Sequence, residues 1–185
     1  MRVIGLTGPM GAGKNEVAKL LERRGFFIID ADKVAHTLYY PQTPVWKELL
    51  KAFGSGILIR GGEINRKKLG EIVFADEEKL AELNRIVHPY LKDEIKALLE
   101  EQTGKTVINA ALPQLFEGLI GEVWVVVASE ENRLERLIKT GLKKDDAKQR
   151  MGMQMEQEEY EKFATAVIIN DGTKRDLDVQ VQTRI

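Results

Sequence analysis

Residues 3–15 read VIGLTGPMGAGKN, a short apolar run followed by a glycine-rich loop that ends in a lysine. Gly8, Gly13 and Lys14 match the spacing G-x4-G-K, and an amphipathic segment follows. Glycine at such positions allows turns that a Cβ would block, so successive N–H groups can converge on phosphate oxygens at a helix N-terminus. Lys14 would then reach the β- and γ-phosphates. This stretch predicts a nucleotide-binding loop, whereas its plainer interpretation is a glycine-rich turn that joins a strand to a helix.

The residue after the loop lysine is Asn15. Loops of this kind usually place Ser or Thr there, because the hydroxyl binds the Mg²⁺ that accompanies the triphosphate. An amide oxygen is also a hard ligand for such a cation, but it is uncharged and lies on a longer side chain. Asn15 is therefore a weak candidate metal ligand.

Length and composition limit the classes of protein. A chain of 185 residues with 43% hydrophobic and 31% charged residues fits one globular domain, residues 1–185, with room for a small insertion. The sequence has neither a long apolar run nor a signal-peptide pattern, and it contains no cysteine, which together favour a cytoplasmic protein without disulfides. The net charge of −1 gives no general attraction for nucleic acid or membrane, so we expect small-molecule partners held by local charge clusters. Oligomeric state is not predicted.

Apolar runs alternate with helical patterns along the chain, which is typical of a parallel sheet flanked by helices. Gly25 is expected to end the first helix at the C′ position. The pattern predicts five strands, at 3–6, 26–29, 106–108, 123–127 and 166–169.

About 75 residues separate the second and third predicted strands, too many for one crossover helix. We therefore predict a helical insertion over residues 33–104. Helical patterns cover 44–53 and 66–74 and a longer stretch from Leu80 to Leu98, with a glycine-rich turn at 54–62. Pro89 lies inside the long pattern and predicts either a kink or a helix boundary near His88.

The segment 130–160 is highly charged and has weak apolar stripes. Helical patterns at 130–139 and 145–159, joined at Thr140-Gly141, fit either a solvated hairpin or a mobile lid. Arg133, Arg136 and Lys139 are three residues apart and share a helix face, where they would either stabilise a transferring phosphoryl group or form a solvated surface. Met151, Met153 and Met155 are interpreted as gap fillers or adaptable surface rather than as a cofactor site.

Asp30 and Asp32 follow the second strand, at the edge where open α/β sheets bind ligands. One carboxylate could accept the proton of an attacking hydroxyl and the other could hold a metal through water. We prefer Asp32 as the base. The alternative is that both aspartates cap a helix starting at Lys33.

His36 and His88 are the two histidines, and neither has a companion at metal-ligand spacing, so no zinc site is predicted. His88, which precedes Pro89, is interpreted as either structural or substrate-binding. Asn170-Asp171-Gly172 closes the last strand and predicts a turn.

Taken in order, these features resemble the dephospho-CoA kinase family, P-loop enzymes that phosphorylate the ribose 3′-hydroxyl of dephospho-CoA. The similarity runs nearly end to end. It rests on short matching segments in the family's order. These are residues 4–8 and the loop; 30–32 and 35–36; 53–54; 65–66, Leu69 and 73–74; 88–89; 115–117; 136–137; Arg150 and Gln154; and 169–172.

The resemblance implies a three-layer α/β P-loop kinase fold with a helical substrate-binding insertion and a lid, and it implies ATP and Mg²⁺ as cofactors. It implies Asp32, Lys14 and Arg136 as catalytic residues. The implied ATP contacts are Gly8, Met10, Gly11, Ala12, Gly13, Lys14, Asn15, Glu16, Arg136 and, near adenine, Asn170. The implied substrate contacts are Thr7, Asp32, His36, Arg66, His88 and Arg150.

The chain departs from the family pattern at several places. Asn15 replaces the hydroxyl and is followed by Glu16, and Thr140 stands where a second lid arginine is common. Residues 109–117 replace the family's Asp-x-Pro-Leu-Leu-Phe-Glu with an apparent two-residue insertion, and matching the strand ends puts Asn109 at the acidic position. These changes predict weaker handling of metal and transition state. Two other hypotheses stay open, namely a kinase for another nucleoside or nucleotide and a homologue that binds nucleotide without turnover.

Overall fold

The computed structural model describes residues 2–185 and divides them into two compact units, one of residues 2–29 with 102–185 and one of residues 30–101. The strands are β1 (Val3–Thr7), β2 (Phe27–Asp30), β3 (Thr106–Asn109), β4 (Glu122–Val127) and β5 (Ala166–Ile169). The helices are α1 (Lys14–Glu22), α2 (Ala31–Leu38), α3 (Pro44–Phe53), α4 (Arg66–Phe74), α5 (Glu77–Glu100), α6 (Glu130–Lys139), α7 (Lys144–Gly152), α8 (Gln157–Glu161) and α9 (Lys174–Gln182). Short 3-10 turns lie at Ser55–Ile57 and Pro113–Phe116.

The five strands form one parallel sheet in the order β2-β3-β1-β4-β5. β1 pairs with β3 from Val3 opposite Thr106 to Leu6 opposite Asn109. On its other side β1 pairs with β4. The predicted parallel sheet is confirmed, and each predicted strand end lies within one residue of the observed end. Because the glycine-rich loop follows Thr7, the last residue of β1, it lies at the carboxyl edge of the sheet. Because β1 is the middle strand, the loop lies at the centre of that edge.

Alternate residues of β4 pack on opposite faces of the sheet, as a strand with helices on both sides requires. Trp124 and Val126 belong to a core with α1 and α9, whereas Val125 and Val127 pack against Tyr160 of α8. The three-layer arrangement predicted for the P-loop fold is therefore confirmed.

The unit of residues 30–101 has its own apolar core, built mainly from α3, α4 and α5. The buried side chains of this core are Val45, Leu49, Leu69, Val73 and Val87 from the helices, with Ile57 and Ile64 from the segment between α3 and α4. α5 continues through Pro89 as one helix, so the helix boundary offered as an alternative near His88 is wrong. Pro89 and Arg85, the residue whose carbonyl loses its helical donor, are both exposed, so water can satisfy that carbonyl while Leu91 and Ile95 remain buried.

Three local predictions need correction. The helix after β2 starts at Ala31 rather than Lys33, because Asp30 is the N-cap. Gly25 adopts φ 81° but lies two residues beyond the C-cap, Arg23, so it is not at C′. The pattern at 145–159 forms two helices, α7 and α8, rather than one.

Candidate active site

The loop between β1 and α1 depends on glycine at two close approaches. Gly8 has φ 140°, and a Cβ there would collide with the carbonyl oxygen of Val126 on the neighbouring strand. Gly13 has φ 100°, and a Cβ there would collide with the side-chain amide of Asn170. L-residues with side chains rarely adopt such backbone angles. The loop sequence is therefore required by its packing against β4 and the end of β5.

Side-chain donors surround the loop and bind its carbonyl oxygens. Lys14 Nζ lies 2.7 Å from the Gly8 oxygen, and Arg133 Nε lies 3.0 Å from the Met10 oxygen. Arg136 Nη1 lies 3.2 Å from both the Gly11 and Ala12 oxygens, and Asn170 Nδ2 donates to the Ala12 oxygen at 2.7 Å. Because these contacts hold the carbonyls toward the donors, they fix the orientation of the peptide planes in the loop.

The start of α1 is suited to an anion. Gly13 is its N-cap, and no side chain caps the helix within the described chain. The first N–H groups of a helix have no partner inside the helix, and the helix dipole favours negative charge there. A phosphate group at this position would therefore complete the helix terminus and meet the cations that already line the loop.

Arg133 and Arg136 of α6 face the loop, whereas Lys139 does not. Lys139 Nζ pairs with Glu135 at 2.6 Å on the exposed side. Arg133 is buried, and this burial is the main cause that lowers its pKa. Arg136 also donates to the Asn170 carbonyl at 2.6 Å. The solvated-face interpretation is thus wrong for the two arginines and fits only Lys139.

Gln154 contacts the loop and is not among the predicted site residues. Its Oε1 accepts a hydrogen bond from the Met10 amide at 2.7 Å. Gln154 comes after α7, within the segment predicted to be a lid. Its appearance beside Arg150 in the family resemblance was the available signal. Arg150 itself is exposed on α7.

The turn predicted at 170–172 also has a structural role. Asp171 Oδ1 accepts hydrogen bonds from the Ser129 backbone N–H at 2.8 Å, the Ser129 hydroxyl at 3.0 Å and the Asn132 side-chain Nδ2 at 2.8 Å. The Asn132 contact is the main cause that lowers the pKa of Asp171. Asp171 thus connects the end of β5 to the N-terminus of α6, and α6 carries both loop-binding arginines.

Asn15 and Asn109 meet at the base of the loop. Asn109 Nδ2 donates to Asn15 Oδ1 at 3.1 Å, so the two departures from the family pattern contact each other. Thr7, predicted to bind substrate, is buried and donates to the Ala111 carbonyl at 3.1 Å. Glu16 pairs with Lys19 at 2.9 Å. Among residues 2–185, no group of three or more His, Cys, Asp or Glu side chains is placed to hold a metal ion.

A cleft of about 500 Å³ lies beside α1 in the same unit, next to Arg136 and Asn170. Arg23, Lys174 and Arg175 add positive charge to its walls. Glu16 and Asp178 also line this cleft, and its volume lies within the range of small-molecule sites.

The remaining predicted site residues lie in the unit of residues 30–101. Asp30 accepts a hydrogen bond from the Lys33 amide at 3.1 Å, as an N-cap does, while Asp32 is exposed in the first turn of α2. Arg66 Nη1 lies 3.3 Å from His36 Nδ1. Burial lowers the pKa of His88, which favours its neutral form. The cap interpretation therefore describes Asp30, and Asp32 remains available for chemistry.

A comparison with protein families supplies the identity of this arrangement. The family model described as dephospho-CoA kinase matches residues 2–176. The chain belongs to the dephospho-CoA kinase family. Relatives of the same name support this assignment. The protein of that name from Carboxydothermus hydrogenoformans is 40% identical over 98% of this chain and 91% of its own length. The Aquifex aeolicus protein is 39% identical, with 98% and 95% covered.

Solved structures give the same result for the fold of this dephospho-CoA kinase family member. TT1252 from Thermus thermophilus matches with a TM-score of 0.86 and 30% identity, covering 99% of this chain and 95% of its own. Dephospho-CoA kinase from Campylobacter jejuni matches with a TM-score of 0.64 and 26% identity, with the same coverage. Shikimate kinase from Acinetobacter baumannii shares the fold alone, at 19% identity and a TM-score of 0.58. In the part of the chain that the structure describes, no helix has the length and apolar character needed to cross a bilayer.

Proposed function

We propose that this chain transfers the γ-phosphoryl group of ATP to the ribose 3′-hydroxyl of dephospho-CoA, giving coenzyme A and ADP. The observation that carries the proposal is the loop itself, whose carbonyls are bound by Lys14, Arg133, Arg136 and Asn170 at the uncapped start of α1. Phosphoryl transfer depends mainly on positioning and charge stabilisation, and this arrangement supplies both.

The donor nucleotide binds in the unit of residues 2–29 with 102–185. The β- and γ-phosphates lie against backbone N–H groups of the loop and of the start of α1, with Lys14 on their oxygens. The adenosine part occupies the cationic cleft beside α1, with Asn170 near the base. Arg136, which contacts both the loop and Asn170, aligns the phosphate and adenosine sites.

The acceptor is bound mainly by residues of the insertion. The ribose 3′-oxygen of the acceptor forms a bond to the γ-phosphorus of ATP while the bond from that phosphorus to the β-γ bridging oxygen breaks, so that ADP leaves. Asp32 accepts the proton that the 3′-hydroxyl loses in this step. His36 and Arg66 hold anionic groups of the acceptor, and neutral His88 supplies a hydrogen bond. Arg150, from the segment proposed as a lid, and Thr7 complete the proposed set.

Mg²⁺ is proposed to enter with ATP, bound by the phosphate oxygens. Asn15 and Asn109 are the side chains nearest in type to the usual hydroxyl and carboxylate ligands, but they carry no charge and bind each other. They do not fit the ordinary ligand pair, so no step is assigned to protein-bound metal. A cytoplasmic location, and the absence of nucleic-acid and membrane partners, remain predictions from composition.

A coupled assay of ADP formation tests the proposal. Wild-type protein with ATP should release ADP in proportion to dephospho-CoA and should ignore adenosine, AMP and shikimate as acceptors. ADP formation with one of those acceptors instead would assign a different kinase, and nucleotide binding without any acceptor-dependent ADP would leave a binding protein without turnover.

A further inference from the structure

Two amide side chains meet where the loop joins α1. Asn15 is the second residue of α1, directly after the loop lysine, and Asn109 is the last residue of β3. The 3.1 Å hydrogen bond from Asn109 Nδ2 to Asn15 Oδ1 joins them, and Asn109 is only 8% exposed. β3 is the strand next to β1, so both side chains lie at the carboxyl edge that carries the loop.

P-loop sites commonly hold Mg²⁺ through a hydroxyl after the loop lysine and a nearby aspartate. The aspartate acts in two ways, because its charge attracts the cation and repels a triphosphate that arrives without one. Asn15 occupies the position of the hydroxyl, and Asn109, the side chain that it contacts at the end of β3, carries no charge, so this pair supplies neither effect. The Asn15 oxygen is moreover already an acceptor for Asn109, which reduces its capacity as a metal ligand.

The charges around the loop favour the bare anion. Lys14, Arg133 and Arg136 contact the loop carbonyls, and Arg23, Lys174 and Arg175 line the adjoining cleft. Three of the nearby carboxylates are engaged elsewhere, since Glu16 pairs with Lys19, Asp178 of the cleft pairs with Arg24, and Asp171 accepts three hydrogen bonds from Ser129 and Asn132. Glu130 and Glu156 offset part of the charge of Arg133. Such a site attracts a tetra-anionic triphosphate without help from a divalent cation.

We propose that the Asn15–Asn109 amide pair uncouples nucleotide binding from divalent metal, so that the loop binds free ATP and Mg²⁺-bound ATP with nearly equal affinity. This inference rests on the proposed function of the loop as the ATP site. The chain discriminates little between the two forms, and the cation is held by the nucleotide rather than by the protein.

Isothermal titration calorimetry of the full chain tests the inference without turnover. ATP is titrated in EDTA and in excess MgCl2 into wild type, N109D, N15S/N109D and the control Q182E, which makes the same amide-to-acid change at an exposed residue at the end of α9. Thermal unfolding of each protein verifies folding, and N109D alone serves if the double variant does not fold.

For wild type and Q182E we expect the two dissociation constants to agree within about threefold, below the usual range of coupling between sites. For N15S/N109D we expect the dissociation constant in EDTA to exceed that in Mg²⁺ by about tenfold or more. The ratio of the two constants for N109D should lie between the ratios of wild type and the double variant. A tenfold preference for Mg²⁺-bound ATP in wild type, or variants that leave the ratio unchanged, would overturn the inference while leaving the proposed function intact. Absence of ATP binding in both buffers would overturn both.

Discussion

Helix α1 carries two lysines, Lys14 and Lys19, and Lys19 provides a matched control for Lys14. Lys14 Nζ reaches the Gly8 carbonyl, whereas Lys19, five residues further along α1, pairs with Glu16 in solvent. We predict that Lys14→Met lowers kcat/KM for ATP about 10²–10³-fold, the usual loss for one preorganised charge at a reacting phosphate. Lys19→Met should retain wild-type activity. Steady-state kinetics checks both, and equal losses in the two variants would argue against a specific role for Lys14.

Asp30 and Asp32 allow the proposed base to be distinguished from a helix cap. Asp30 caps α2, a role that Asn fills equally well, so Asp30→Asn should keep most of the activity. Asp32→Asn should lower kcat about 10²–10⁴-fold, the range for losing a general base, with ATP affinity unchanged. Single-turnover kinetics with nucleotide titration measures both quantities. A fully active Asp32→Asn would remove Asp32 from the mechanism.

The loop as an element depends on the backbone freedom of Gly8. An alanine there would need φ 140° and would meet the Val126 carbonyl, so we predict that Gly8→Ala lowers the free energy of unfolding by about 2 kcal/mol or more and weakens ATP binding. Gly104→Ala is the control, because its Cβ would enter open space and the change should stay within about 1 kcal/mol. Urea unfolding gives both values; similar effects would contradict the packing argument.

The Asp171 carboxylate, which connects β5 to α6, should make the free energy of unfolding depend on pH in the acidic range. Hydrogen bonds keep the pKa of Asp171 below its ordinary value in the folded state. Its contribution to the free energy of unfolding is therefore complete above about pH 4, the unfolded pKa, and is lost as pH falls through the lower folded pKa.

We predict that Asp171→Asn reduces stability at pH 7 and flattens the stability profile below pH 4. Because Asp171 is exposed, the loss should be about 1 kcal/mol or less. Urea unfolding between pH 2 and 7 measures it, with Asp93→Asn, an exposed residue of α5, as the control. An unchanged slope in Asp171→Asn would show that the carboxylate does not stabilise this connection.

Among the elements, those with a strong local pattern could be predicted, and those decided by tertiary packing could not. The apolar runs of β1 and β4 and the glycines of the loop specify their own conformation. Pro89 was ambiguous because its cost to α5 depends on whether the freed carbonyl is solvated, which sequence does not reveal. The charged pattern after Thr140 likewise did not show where α7 ends and α8 begins.

At the scale of the whole molecule, the residues of the nucleotide site could be predicted in part, but their partners could not. The loop spacing identified Lys14 and its glycines. The contacts of Arg133 with Met10, Gln154 with Met10 and Asn109 with Asn15 join residues 123, 144 and 94 positions apart. Spacing within one helix or strand carries no information about such pairs, so only the fold or a family resemblance could indicate them.

The central claim is that a phosphoryl group passes from a nucleotide on this loop to the ribose 3′-oxygen of dephospho-CoA. Phosphorus NMR of a reaction containing the wild-type chain, ATP and dephospho-CoA tests it directly. We predict a new phosphomonoester resonance coupled to the ribose H3′ proton, growing as the ATP γ-phosphate signal falls and growing about 10²–10³-fold more slowly with Lys14→Met. Loss of the γ-phosphate signal to inorganic phosphate alone, or a phosphomonoester at another position, would contradict the account.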